Sequence, residues 1–190
     1  MSRLWVSGYR SYELGIFQSK DPKVTIIKEA IKQFICQRID DGVDWIITGP
    51  QLGVEQWTIE VTLELKKDFP ELKVALMLPF AQFGSQWNED NQSTLAQLTS
   101  AVDFSDQVSD AEYHSPQQLK NYQQFMLAHT DEALLVYDPE NEGKPGYDLT
   151  AANTYAEQHP YPISLIDFDQ LQETADEYFE RQNQRKYEDS

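Results

Sequence analysis

Several stretches of the sequence place glycines, charges and aromatic rings at spacings that suit a phosphorylated ligand. The run Thr48-Gly49-Pro50-Gln51-Leu52-Gly53-Val54-Glu55 sets glycines on both sides of a tight turn that leads into a helical pattern. A turn of that kind aims backbone N–H groups and the positive end of a helix dipole at whatever lies above it, so Gly49, Gln51 and Gly53 are candidate anion contacts. The run is neither a GxGxxG nor a Walker A sequence. Glu55 falls in the first helical turn, where a carboxylate stabilises the dipole by ~0.3–1 kcal/mol. In a ligand site the same carboxylate would accept ribose hydroxyls or act as a base, which makes Glu55 the catalytic candidate. Spacing alone leaves both roles open. A bulky residue at Gly53 is expected to abolish ligand binding while leaving the fold largely intact.

Ser7-Gly8-Tyr9-Arg10 follows a short apolar run. Gly8 permits close backbone approach, and Arg10 is a fixed cation with five donors suited to a phosphate. The alternative for Arg10 is an ordinary ion pair in a chain rich in carboxylates. Pro79-Phe80, with Phe83, Gly84 and Trp87 beyond, offers rings that either stack on a base, at ~1–3 kcal/mol, or anchor a long loop to the core. The segment from Asp138 to Tyr147 carries Gly143, Lys144 and Gly146 ahead of another helix. It reads as a second anion loop or as a surface turn.

Other chemistry is disfavoured. His114, His129 and His159 do not cluster, so no metal site is expected. No Ser-His-Asp arrangement is present, and Cys36 lies in a helical pattern as a packed thiol rather than a nucleophile. The formal net charge of −17, from 15 Lys and Arg against 32 Asp and Glu, argues against a nucleic-acid groove or attachment to anionic membranes. No apolar run approaches the roughly 20 residues of a membrane span, and the N-terminus enters a strand without a signal pattern. A cytoplasmic location without membrane insertion is expected.

The elements that must position these residues alternate. Strands are expected at Leu4–Val6, Trp45–Thr48, Lys73–Leu78 (broken by Pro79), Asp103–Val108, Ala133–Tyr137 and Pro162–Ile166. Helices begin at Asp21-Pro22, near Gly53, at Asn91, at Ser115-Pro116, after Gly146 and at Asp167. The helix from Asp21 presents Val24, Ile27, Ile31, Phe34 and Ile35 on one face and stops at Gly42. Strands separated by helices imply parallel pairing. The fold expected is α/β, Rossmann-like and doubly wound, with a mainly parallel sheet and helices on both faces. Residues 1–180 are expected to form one domain and residues 181–190 a polar tail. Ligands of such sheets bind outside the carboxyl ends of the strands.

Gly8-Tyr9-Arg10 with Glu13-Leu14-Gly15-Ile16-Phe17, then Gly49-Pro50-Gln51-Leu52-Gly53-Val54-Glu55 and Trp57, resemble the YpsA family of small proteins from Gram-positive bacteria. The resemblance continues through Pro79-Phe80, Trp87, Ser115-Pro116, Gln124-Phe125 and Tyr137-Asp138-Pro139 with Gly143. That family is grouped with the DNA-processing protein DprA and the LOG proteins, which implies a Rossmann-like fold and a nucleotide or ADP-ribose-like ligand. By position, Gly49, Gly53 and Glu55 would belong to one ligand loop, and Gly143 and Gly146 to a second. The LOG enzymes that cleave the base–ribose bond carry a Pro-Gly-Gly-x-Gly-Thr-x-x-Glu motif where this chain has Asp138 to Gly146. They also carry an arginine where it has Tyr122-Gln123-Gln124-Phe125, and both departures argue against hydrolysis by that route. The resemblance also implies a protein partner in cell division. The expectation is a binding or sensing protein for a nucleotide-derived metabolite. The alternatives are a nucleotide-processing hydrolase, or an adaptor with a vestigial pocket.

Overall fold

Buried apolar strands at the centre and a polar strand at one edge, separated by helices, fold here into one parallel sheet. The structure is a computed structural model that describes residues 2–189. Its strands are β1 (Ser2–Gly8), β2 (Val43–Thr48), β3 (Lys73–Ala81), β4 (Phe104–Glu112), β5 (Glu132–Val136) and β6 (Ile163–Ile166). They lie in the order β4-β3-β2-β1-β5-β6, and every adjacent pair is parallel. The helices are α1 (Pro22–Asp40), α2 (Val54–Leu65), α3 (Glu89–Ala101), α4 (Gln117–Ala128), α5 (Pro145–Ala156) and α6 (Phe168–Glu188), with a short 3-10 turn at Ser11–Leu14. This is the Rossmann-like α/β arrangement.

The strand order fixes where the helices go. From β1 the chain steps outward to β2, β3 and β4, then crosses back to β5 and steps the other way to β6. Right-handed crossovers put α1–α3 on one face and α4 and α5 on the other. The contacts of α1 with α2 and α6, of α2 with α3, and of α4 with α5 agree with this. Because side chains alternate across a strand, β1 feeds both layers. Leu4 and Val6 join the core with Ile31 and Ile35, while Trp5 joins the core with Met126 and Leu135. The direction of winding reverses between β1 and β5, so the connections leaving their carboxyl ends run opposite ways and open the edge where loops can gather.

Caps set the helix starts. Asp21 accepts from Lys23 N at 2.9 Å with Pro22 at the first position, and Asp167 forms a capping box with Gln170. The sheet is also clamped at its opposite edge. Arg38, at the end of α1, donates from Nε and Nη2 to the two Glu132 carboxylate oxygens at 2.7 and 2.6 Å. That bidentate pair holds the Arg38 guanidinium above its ordinary pKa. Glu132 is 8% exposed. Arg38→Ala would strand that carboxylate, at a cost of about 2 kcal/mol once the partial exposure of Arg38 is allowed for. Calorimetry should then show Tm lower by roughly 4–8 °C, and an unchanged Tm would show the pair to be energetically idle.

The elements depart from the sequence expectation in places. Strand β3 continues past Pro79 to Ala81. Its pairing with β2 ends at Thr48 opposite Leu76, so Pro79 deletes no ladder bond on that side. Strand β4 extends to Glu112 beside it. The last helix runs to Glu188, through most of the polar tail expected from Arg181. Met1 and Ser190, the outer limits of the expected domain and tail, lie outside the described residues. No described helix is long and apolar enough to cross a membrane.

Candidate functional site

The carboxyl edge of β1 and β2 gathers a cluster of polar side chains under Arg10. Glu55, at the second position of α2, is 4% exposed, and its Oε2 accepts from Gln51 N at 3.3 Å. Burial pushes its carboxyl up to about 7; the nearby Arg10 charge and the Gln51 amide oppose that shift, and Asp148 adds to it. Tyr122 reaches the same place from α4. A Cβ added at Gly49 would collide with both Glu55 Oε1 and the Tyr122 hydroxyl, so Gly49 is what lets these groups converge. Tyr122 is 9% exposed, and its hydroxyl has no hydrogen-bond partner among the described residues. Burial beside Glu55 and Asp148 holds its pKa well above the ordinary tyrosine value.

Asp148, from the first turn of α5, closes the third side. It accepts from Ser7 Oγ at 2.7 Å and from Gln123 Nε2 at 2.8 Å. Burial raises its pKa, and those donors and the Arg10 charge limit the rise. Arg10 forms no ion pair among the described residues. Its guanidinium reaches only Gly8 O, at 3.5 Å. A buried hydroxyl without an acceptor, a carboxyl near neutrality and an uncommitted guanidinium therefore face one another with unused hydrogen-bonding capacity.

The remaining sequence candidates divide. Gly8 lies beneath the cluster, where a Cβ would meet Val54 Cγ1 at 2.7 Å and Val136 O at 2.8 Å. Gly53 caps α2 at φ 122°, ψ −136°, and is bridged to Arg10. The N–H of Val54 donates to Tyr9 O at 3.1 Å and that of Ser11 to Leu52 O at 3.0 Å. The first amide of α2 is thus bonded within the protein. A side chain at Gly53 would strike backbone at Ser11 N and Tyr9 O, both 2.6 Å away. The expectation that a bulky Gly53 variant keeps its fold is therefore corrected.

The loop after β5 is tied to the loop after β1. The Tyr9 hydroxyl accepts from Asp138 N at 2.9 Å and donates to Asn141 O at 2.6 Å, while its ring stacks on Tyr137 at 5.4 Å. Asp138 accepts from Glu140 N and Phe168 N. Glu13 accepts from Arg10 N and from Lys144 N, both at 2.8 Å, and occupies the space a Gly143 Cβ would need. Gly146 gives room to the Tyr137 hydroxyl. Asp138, Gly143, Lys144 and Gly146 therefore join Arg10 through Glu13 and Tyr9 rather than through the Glu55 cluster. Pro79, Phe80 and Trp87 lie apart again, with Phe80 and Trp87 lining a hollow at the ends of β3 and β4.

Sequence reasoning missed Tyr122, Gln123 and Asp148 as site residues. Tyr122 and Gln123 stand where the LOG arginine was sought, and that replacement was the available signal. Asp148 looks like a routine first-turn acid, and nothing local tells it from one. No group of three or more His, Cys, Asp or Glu among the described residues could hold a metal ion.

A parallel α/β sheet with its polar cluster at the carboxyl edge, beside the reversal of winding, defines a Rossmann-like protein of the nucleotide-related class. Residues 4–171 match the model of the YpsA family, described as the YspA SLOG family, and the chain belongs to that family. It is 61% identical over 183 residues to a UPF0398 protein of Levilactobacillus brevis, covering 96% of this chain and 97% of the relative. It is 58% identical to a UPF0398 protein of Lactiplantibacillus plantarum, covering 96% and 97%. A UPF0398 protein of Leuconostoc citreum is 57% identical, covering 98% and 99%.

Proposed function

We propose that this protein binds a nucleotide or nucleotide-derived metabolite, ADP-ribose-like in its ribose and phosphate groups, at the Arg10–Glu55–Tyr122–Asp148 cluster. The observation that carries this reading is the buried Tyr122 hydroxyl left without a partner beside Glu55. An unsatisfied buried polar group costs roughly 1–3 kcal/mol, a cost that a ligand oxygen would remove. Arg10 neutralises a phosphate, Glu55 and Asp148 accept ribose hydroxyls, and Tyr122 donates.

A thermal-shift panel tests it, with nucleoside mono-, di- and triphosphates, NAD, ADP-ribose and cyclic dinucleotides. A ligand that binds only the folded state raises Tm by mass action. Tyr122→Phe should weaken the active compound about 3–10-fold, the scale of one neutral hydrogen bond. Arg10→Ala should weaken it about 10–100-fold, the scale of a charge-assisted pair. No shift with any compound would overturn the reading and favour an adaptor with a vestigial pocket.

One observation favours a hydrolytic second reading. A carboxyl titrating at about 7 suits a general acid or base at neutral pH. It predicts base release from a nucleoside monophosphate, absent in Glu55→Gln. A regulatory role in cell division, with a protein partner, rests on the family resemblance alone. Comparing septum placement in cells carrying wild type and Arg10→Ala checks that role.

A further inference from the structure

A second concavity lies on the same edge, at the ends of β3 and β4. Its volume is about 410 Å³, within the ordinary range for small-ligand sites. Phe80 and Tyr113 line it in tilted contact, with ring centroids 5.3 Å apart, and Phe83 and Trp87 line it in an edge-on pair at 5.4 Å. Phe83 and Trp87 pack on the main core, whereas Tyr113 is 52% exposed. Glu112 adds a carboxylate to the wall, and Gln82 and Gln86 add carboxamides.

Both walls are held in place. The pairing of β3 with β4 slips between Phe80 opposite Ser109 and Ala81 opposite Glu112, a bulge that turns Glu112 and Tyr113 toward the cup. Gln118, 4% exposed, fastens this segment. Its Nε2 donates to Ser109 Oγ and Glu112 O, and its Oε1 accepts from His114 N and Ser115 N. Opposite, Gln92 Nε2 donates to Ser85 O and Trp87 O. Gln82 sits at φ 60°, a left-handed conformation uncommon for a side-chain-bearing residue. Such conformations persist where the surroundings enforce them and concentrate at binding sites.

We propose that this cup is the base subsite of the ligand, taking a planar heterocycle that stacks on the half-exposed Tyr113 ring beside Phe80 and donates an exocyclic amine to Glu112. The proposal rests on the nucleotide reading above and assigns the base to residues outside the phosphate and ribose cluster. Strand spacing puts β3 and β4 roughly 10–14 Å from β1. A separation of that order suits a ribose and more than one phosphate between base and Arg10, so the class proposed is a nucleoside diphosphate or a diphosphate-linked nucleotide. The carboxylate wall selects an amino-bearing base over a keto one, because a keto oxygen would face Glu112 without a proton to share.

Calorimetric titration with ADP, GDP, CDP, IDP and UDP, and with ribose 5-phosphate as a base-free probe, tests this. An amino-bearing diphosphate should bind the wild type about tenfold more tightly than IDP or UDP, a loss typical of one unpaired polar contact. Tyr113→Ala removes an exposed ring and leaves the core intact. It should weaken that ligand about tenfold, the scale of one stacked base, and leave ribose 5-phosphate unchanged. Glu112→Gln should erase the preference over IDP and UDP, whereas Arg10→Ala should weaken every probe. If Tyr113→Ala and Glu112→Gln bind the diphosphate as wild type does while Arg10→Ala does not, the cup is not the base subsite and the nucleotide reading stands. A wild-type preference for IDP or UDP overturns the amine assignment. Silence of the wild type toward every probe overturns both.

Discussion

Gly53→Ala is expected to destabilise the folded protein by roughly 3–5 kcal/mol, enough to remove much of the stability of an ordinary domain. Two independent terms add. At φ 122°, ψ −136° the residue occupies backbone space that is costly to any L side chain. The new methyl would also press on Tyr9 O and Ser11 N at 2.6 Å and on Arg10 C at 2.9 Å. Those atoms are backbone and cannot swing aside, so the strand-end loop must move as a unit. Relief would break the Val54 N–Tyr9 O and Ser11 N–Leu52 O bonds that fasten the loop after β1 to the start of α2. Urea unfolding followed by circular dichroism measures the effect directly. A midpoint equal to wild type would mean that the loop relaxes freely and that the bridge is not structural. Loss of ligand binding in this variant would follow from loss of the site's frame and would not identify a phosphate contact.

Glu55→Gln should do the opposite and stabilise the protein in a pH-dependent way. The folded protein holds the Glu55 proton up to about 7, whereas a free glutamate carboxyl loses it near 4.5. Between those values the folded state binds more protons than the unfolded chain, so stability falls as pH rises. The contribution of Glu55 is fully present below about 4.5 and is lost as pH passes through about 7. Glutamine fills the same space without a charge to desolvate. At pH 8 the variant should exceed wild type by about 3 kcal/mol, or roughly 6–12 °C in Tm, and the difference should vanish near pH 4. Asp148, also raised by burial, acts in the same direction in both proteins, and Arg10 moderates both carboxyls. A stability difference independent of pH would show that Glu55 is ionised in the folded protein at little cost. Ligand affinity should fall in the same variant, as expected where a site is kept at the expense of stability.

Much of the architecture was legible because it depends on short-range rules. Asp21-Pro22 and Asp167 mark helix starts by capping, and Leu4–Val6 and Ala133–Tyr137 read as strands because central parallel strands are apolar on both faces. The third helix, by contrast, begins at Glu89 behind Asn88 and not at the expected Asn91. Alternation of these elements implied parallel pairing. Strand β3 was cut short at Pro79 because a proline interrupts a strand pattern, while only the register shows that its pairing with β2 has already ended before that residue. The end of α6 was misplaced because a polar tail and a solvated helix have similar composition.

The site was legible in its local parts and not in its assembly. Arg10, Gly49, Gln51 and Glu55 could be named because strand-to-helix turns with glycine and charge have recognisable spacing. The sequence by itself thus determined the Rossmann-like class, its net negative charge and the glycine- and charge-bearing loops at one sheet edge. Tertiary structure decided which groups meet there. Tyr122 and Asp148 come from helices far along the chain, and they face Glu55 only because the winding reverses between β1 and β5 and carries α4 and α5 to the same side. It also decided that the Gly53 turn serves the backbone, and that Glu13 already fills the loop around Gly143 and Lys144. The physical reason is range. Capping, periodicity and turn preferences act over a few residues, whereas the desolvation that moves Glu55 toward neutrality and the convergence that leaves Tyr122 unpartnered exist only once distant elements pack.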